Sequence, residues 1–186
     1  MSEHIRVAVI FGSTRPGRFC DTVVRWAVEQ VAASGQFLPE VIDPAAQSNG
    51  IEGRAWKPLQ QALGQADAFV VVTPEYNHGY PAPLKEFIDS VNAEWQAKPV
   101  AFVSYGGVSG GLRAVEQLRL VFAELHAVTI RDSVSFQTAW EQFDESGVLR
   151  NPDRACRNMD TLLDRLKWWA IALRNARSTA PYSQPA

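Results

Sequence analysis

The sequence predicts an α/β protein: a five-stranded parallel sheet in the order 2-1-3-4-5, helices on both faces, one domain over residues 1–186. Three observations predict it. Strand-length apolar runs alternate with stretches of helical spacing five times, and that alternation demands crossover connections and parallel strands. The run Ala68-Phe69-Val70-Val71-Val72 is apolar without a break, as suits a strand covered on both faces. Finally, Val7-Ala8-Val9-Ile10-Phe11 leads directly into a Gly/Ser/Arg turn and then a helix, a unit that presents N–H groups and a helix N-terminus to an anion.

Each element has its own signal. Strand 1 covers about residues 5–11, and a helix over 19–34 carries Val23, Val24, Ala27, Val28 and Val31 on one face before Ser34-Gly35 ends it. Residues 36–43 form strand 2, placed at an edge by Pro39. A polar loop over 44–54 precedes a short helix over 55–65 and strand 3 over 66–73. The loop 74–83 leads to a helix over 83–95. Strand 4 begins at Pro99 and runs through Ser104. A glycine-rich turn, Tyr105 to Gly111, opens a helix over 112–125. Strand 5 covers 126–134, a last helix 153–177, and residues 178–186 read as a frayed tail.

Composition excludes several classes. A net charge of −2 gives no pull toward nucleic acid or an anionic membrane. No apolar run approaches the ~20 residues of a membrane span, and no leader is expected ahead of strand 1. Two unrelated cysteines, Cys20 and Cys156, read as reduced thiols of a cytoplasmic protein. His4, His78 and His126 are isolated, so no metal site is expected.

In the predicted strand order the switch point lies between strands 1 and 3, so a ligand belongs beyond the carboxyl ends of strands 1, 3 and 4. Three unusual loops leave those ends. In the first, Gly12 and Gly17 match half of a triphosphate loop, but Arg18-Phe19 replaces its Lys-Ser/Thr. The dinucleotide fingerprint fails at Thr14. Ser13, Arg15 and Arg18 around a helix start suit a terminal monophosphate; an ordinary βα loop with two solvated arginines is the competing reading. In the second loop, Pro74-Glu75-Tyr76-Asn77-His78-Gly79, Tyr76 and Asn77 suit a flat ring and its polar edge, and His78 reads as a loop residue without a catalytic partner. The third contains Gly107-Val108-Ser109-Gly110-Gly111, a formal match to a hydrolase nucleophile elbow. The only later histidine, His126, starts strand 5 at the opposite end of the sheet, so no triad assembles around Ser109.

Together, Gly12-Ser13-Thr14-Arg15, Pro74-Glu75-Tyr76-Asn77 and Tyr105–Gly111 resemble the NADPH-dependent FMN reductase family of flavodoxin-like proteins, which includes quinone, azo-dye and chromate reductases. Pro83-Leu84-Lys85-Glu86-Phe87-Ile88-Asp89 is similar as well, and the resemblance covers about residues 5–135. It implies bound FMN, with its phosphate at Ser13, Arg15, Arg18, Phe19 and Cys20. Its ring would lie against Pro74, Glu75, Tyr76 and Asn77 on one side and Ser104, Gly106, Gly107, Ser109 and Gly110 on the other. Arg18 and Cys20 depart from the Ser and Asn of many members. The implied reaction has two steps: NADPH or NADH delivers hydride to the flavin, then a small quinone, azo or flavin acceptor takes the electrons, and no side chain serves as acid or base. The competing functions are a non-enzymatic electron carrier and, less favoured, a serine hydrolase using Ser109. The resemblance further implies a homodimer or homotetramer. Leu84, Phe87, Ile88, Val91 and Trp95 form an apolar face available for that contact or for covering the sheet.

Overall fold

The predicted strands form as β1 (Ile5–Phe11), β2 (Phe37–Ile42), β3 (Ala68–Pro74), β4 (Pro99–Gly106) and β5 (Val128–Gln137). The structure, a computed structural model, describes residues 4–47 and 56–182. Every pairing is parallel and the order is β2-β1-β3-β4-β5, the flavodoxin-like arrangement. The helices are α1 (Cys20–Ala33), α2 (Trp56–Gln65), α3 (Ala82–Asp89), α4 (Leu112–Glu124), the short α5 (Ala139–Gln142) and α6 (Pro152–Thr179).

The two-residue period of a strand explains why its apolar runs are unbroken. Val7, Val9, Val70, Val72, Ala101 and Val103 face one layer, where Val23, Ala27 and Val31 of α1 meet Met159, Leu162 and Leu166 of α6. Ala8, Ile10, Phe69, Val71 and Phe102 face the other, under Leu63 of α2, Phe87 of α3 and Leu118 and Phe122 of α4. An outward residue on a central strand would therefore meet a helix on either side.

Four expectations change. The helix expected over 83–95 is α3, which stops at Asp89. Trp95 causes the early stop. Its indole N–H donates to the Ile88 carbonyl at 3.0 Å, and its ring packs edge-on against Phe69 and Phe122 with centroids 4.7 and 5.3 Å away. Burying the largest side chain of the segment outweighs nearly two more helical turns. Leu84, Phe87, Ile88, Val91 and Trp95 are consequently all buried within the chain.

β5 is longer than residues 126–134 and starts later. While β4 advances from Val100 to Phe102, its partner advances from Thr129 to Ser133, so β5 bulges. Arg119 of α4 occupies the carbonyls this frees, donating to Ile130 and Arg131 at 2.7 and 3.1 Å. A bulge carrying charged residues also disfavours pairing of this edge with another strand.

Residues 44–47 of the polar loop form a 3-10 turn, and Ala55 with the rest of that loop lies outside the described residues. At the other end α6 continues through Thr179, and the Tyr182 hydroxyl reaches His126 Nδ1 at 2.7 Å, so the tail is held at least that far. Residues 183–186 lie outside the described residues.

Candidate functional site

The carboxyl ends of β1, β3 and β4 lie side by side, and the three loops meet there. Gly12 makes the first turn possible. Its N–H donates to the Val72 carbonyl at 2.7 Å, and a Cβ would sit 2.6 Å from that oxygen, so no other residue fits so close to β3. The close approach drives Ser13 into full burial, where its hydroxyl meets the Tyr76 hydroxyl at 2.8 Å. The Arg15 guanidinium stacks on the Tyr76 ring, 3.7 Å from its centroid. Among the described residues Arg15 has no carboxylate partner. The N-terminus of α1 carries no side-chain cap. A buried hydroxyl, an un-neutralised guanidinium and uncapped helix amides thus adjoin one another, a donor set for a compact anion.

The second loop turns on Asn77 and His78, with φ of 51° and 71°. Tyr76 and Gly79 exchange backbone bonds of 2.9 and 3.1 Å around them. Two successive positive φ values define a type I′ turn, and Asn tolerates that region better than most residues. Asn77 is therefore a turn former, and the His78 carbonyl accepts from Gln117 at 2.9 Å.

Glu75 joins the second loop to the third. Its carboxylate accepts from Ser109 Oγ at 2.6 Å, from the Arg113 N–H at 3.1 Å and from the Arg113 guanidinium at 2.9 Å. Burial works to raise this carboxyl, but the Ser109 and Arg113 bonds prevail and hold it below the ordinary range. Arg113 lies in the first turn of α4, so Glu75 also caps that helix. Pro74 ends β3 opposite Tyr105. Tyr105 and Gly106 belong to β4 rather than to the turn, and Ser104 lies in β4 as expected. The buried Ser104 hydroxyl donates to the Gly110 carbonyl at 2.8 Å, and Gly106 packs by Glu75.

Two predicted ligands have other employment. Arg18 is drawn to the end of β2: it pairs through both Nη atoms with Asp43, and its Nη1 also donates to the Ser13 carbonyl. Its Nε meets Asp21 at 3.0 Å. Cys20 is fully buried, its thiol facing the Val72 carbonyl at 3.7 Å. Burial raises that thiol's pKa; Cys20 thus supplies a core side chain, and only its backbone is placed at the helix start. Phe19 is half-buried between Tyr105 and Phe143, with centroids 5.9 and 5.7 Å apart.

Ser109 has a carboxylate as its partner and no histidine. His126 follows α4 and bonds Tyr182. A nucleophile needs a base that can accept its proton, and a carboxylate held below its ordinary pKa is a poor one.

Three participants escaped the sequence reading. Asp43 and Arg113 carry no motif, and only the fold brings them to the loops. Trp140 lies in α5, its ring 3.8 Å from where a Gly107 Cβ would stand, and 60% exposed. Thr138, at φ 46°, donates its N–H to the Gly107 carbonyl at 2.9 Å and so sets α5 against the third loop.

The comparisons with known proteins identify the family and the fold. A family model described as NADPH-dependent FMN reductase matches residues 5–141. The chain is 37% identical over 123 residues to an NAD(P)H-dependent FMN reductase of Schizosaccharomyces pombe, covering 57% of this chain and 60% of that one, less than two thirds of that relative's length. It is 31% identical over 183 residues to a quinone reductase of Pseudomonas putida, covering 91% and 96%. Among solved structures it resembles FerB, a flavoenzyme NAD(P)H:(acceptor) oxidoreductase of Paracoccus denitrificans. The TM-score is 0.72 at 22% identity, over 90% of this chain and 98% of that one, a likeness of fold.

Proposed function

The chain belongs to the NADPH-dependent FMN reductase family, and we propose that it is an FMN-dependent NAD(P)H oxidoreductase that reduces quinone, azo, flavin or similar small acceptors in two steps at one ring face. The observation that carries this reading is the meeting of Ser13, Arg15 and Tyr76 beside an uncapped helix start.

The residues present fit FMN. Ser13, Arg15 and the amides around Phe19 and Cys20 would hold the phosphate. Pro74, Tyr76 and Asn77 on one loop and the glycine-rich third loop on the other would flank the ring. Bound FMN supplies the redox chemistry, which no protein side chain provides here. The protein's task is placement. Glu75 locks the second loop to the third, and Gly110 is tied from two sides, by Ser104 at 2.8 Å and Ser135 at 2.9 Å. Pinned loops cost no ordering when a substrate arrives. Trp140 beside Gly107 adds an exposed aromatic surface suited to a planar acceptor.

Among the described residues no helix is long and apolar enough to cross a membrane. We place the protein in the cytoplasm as a single-domain homodimer or homotetramer. Its free thiols, Cys20 and Cys156, support a reducing compartment. Because the α3 face is used within the chain, a subunit contact would draw on exposed apolar residues such as Leu120 of α4.

The test is steady-state kinetics of the flavin-loaded protein at varied nicotinamide and quinone concentrations. Parallel double-reciprocal lines are expected for two half-reactions using one space. Intersecting lines overturn the shared face, and a protein that takes up no flavin overturns the site.

A further inference from the structure

We propose that Arg18 is a positioning residue for the phosphate loop, acting through its paired contact with Asp43, and not a ligand of the phosphate. The inference rests on the FMN reading above and departs from the role that position 18 was expected to play.

The geometry around Arg18 is that of a strut. Its side chain is only 9% exposed. Nη1 donates to Asp43 Oδ1 at 2.9 Å and to the Ser13 carbonyl, Nη2 to Asp43 Oδ2, and Nε to Asp21 at 3.0 Å. The guanidinium plane also lies over the Phe11 ring, 4.2 Å from its centroid. A guanidinium has five N–H donors, and these bonds occupy four of them. Asp43 Oδ1 also accepts from the Ala45 N–H at 2.9 Å, at the start of the 3-10 turn after β2. The pair therefore bridges the loop after β1 to the end of its neighbouring strand, with the Ser13 peptide fixed between them.

Charge follows the same division. Arg18 faces two carboxylates, Asp43 and Asp21, and brings no surplus positive charge to the loop. Arg15 does. Asp43 stands at the end of the second strand, where dinucleotide folds place an acid for a ribose hydroxyl. Here that acid is consumed by Arg18, so the strand end cannot serve as a ribose site without breaking the bridge.

The two roles predict opposite signs for Asp43→Asn. If Arg18 were a phosphate ligand, removing its competing carboxylate would free it and tighten FMN. Neutralising a nearby negative charge favours the phosphate as well. If Arg18 positions the loop, Asp43→Asn loosens Ser13 and weakens FMN in spite of that electrostatic gain.

The experiment is titration of flavin-free wild type, Asp43→Asn, Arg18→Lys, Arg18→Met and the Asp43→Asn/Arg18→Met double variant with FMN and riboflavin. Amide hydrogen exchange of the flavin-free proteins accompanies it. Each single variant should lose roughly 10-fold in FMN affinity, riboflavin affinity should change by less than about threefold, and the double variant should be no worse than Arg18→Met, because the contacts act as one unit. Amides of residues 13–20 should exchange about 10-fold faster in Asp43→Asn while those of β3 and β4 stay as in wild type. FMN binding at or above wild-type strength in Asp43→Asn, retention in Arg18→Lys, or unchanged loop exchange overturns the proposal. If wild type binds no FMN, the functional reading falls, and the exchange comparison still decides whether the pair holds the loop.

Discussion

Both ends of the sheet gather cations, and they dispose of them differently. At the amino end Lys98 is buried and donates to the Leu63 and Gly64 carbonyls, both at 2.9 Å, closing the last turn of α2. Arg177 donates to the Ala97 carbonyl and lies 3.8 Å from Asp67, which Arg174 approaches at 3.5 Å. Every one of these charges ends on a carbonyl or a carboxylate. At the carboxyl end Arg18 is spent in the same way, but Arg15 only stacks on Tyr76. A cluster of cations is thus not a site. What marks the site is the positive charge left over after the fold has closed its own helix ends and loops.

The largest break in that comparison is expected at Arg15. Arg15→Ala should weaken FMN binding by roughly 10–100-fold, since a bond to a charged group is worth about 1.5–3 kcal/mol. Riboflavin binding should barely move, and added salt should weaken wild type more than the variant. Fluorescence quenching of apoprotein titrated with each flavin checks it; equal losses for both flavins would place the damage in the fold or the ring site.

Glu75 comes next. Glu75→Ala leaves Ser109 and the start of α4 without their acceptor and should cost about 1–3 kcal/mol of stability, read from urea midpoints. The pH sign is explicit. The folded pKa of Glu75 lies below its ordinary value, so its stabilisation is complete above the unfolded pKa and is lost as pH falls through the folded one. Wild type should therefore lose stability faster than Glu75→Gln as pH drops below about 4. Parallel acid limbs would show the carboxylate to be unimportant.

The smallest effect on function is expected at Lys98. Burial, reinforced by Arg177, pushes its pKa down to about 8. The unfolded chain then binds the extra proton between pH 8 and 10.5, so wild type should gain stability relative to Lys98→Met as pH rises through that window. FMN affinity should stay unchanged, because the residue lies at the far end of the sheet. A loss of FMN binding in this variant would dissolve the contrast between the two ends.

Much of this was legible without a structure because it rests on local rules. The strands and their order follow from unbroken apolar runs and βα alternation, and the three loops stand out because their Gly, Pro and Asn have no place in regular elements. Ser13, Arg15 and Tyr76 come together as those loops imply. The roles of Arg18, Cys20 and Glu75 were not legible, since each depends on a partner far along the chain: Asp43, the core under Val72, and Arg113. Trp95 shows the same limit in the core. Its spacing fits a continuation of the helix, yet a pocket built by Phe69 and Phe122 captures it.

The sequence by itself determined the fold class, the switch point and the set of residues delivered to it, because period, punctuation and connection length act within short windows. Only the tertiary structure decided which of two arginines three residues apart is paired with a carboxylate and which is left without one among the described residues. That choice depends on Asp43, carried to the first loop by the pairing of β1 with β2, and Coulomb attraction at contact distance then settles it.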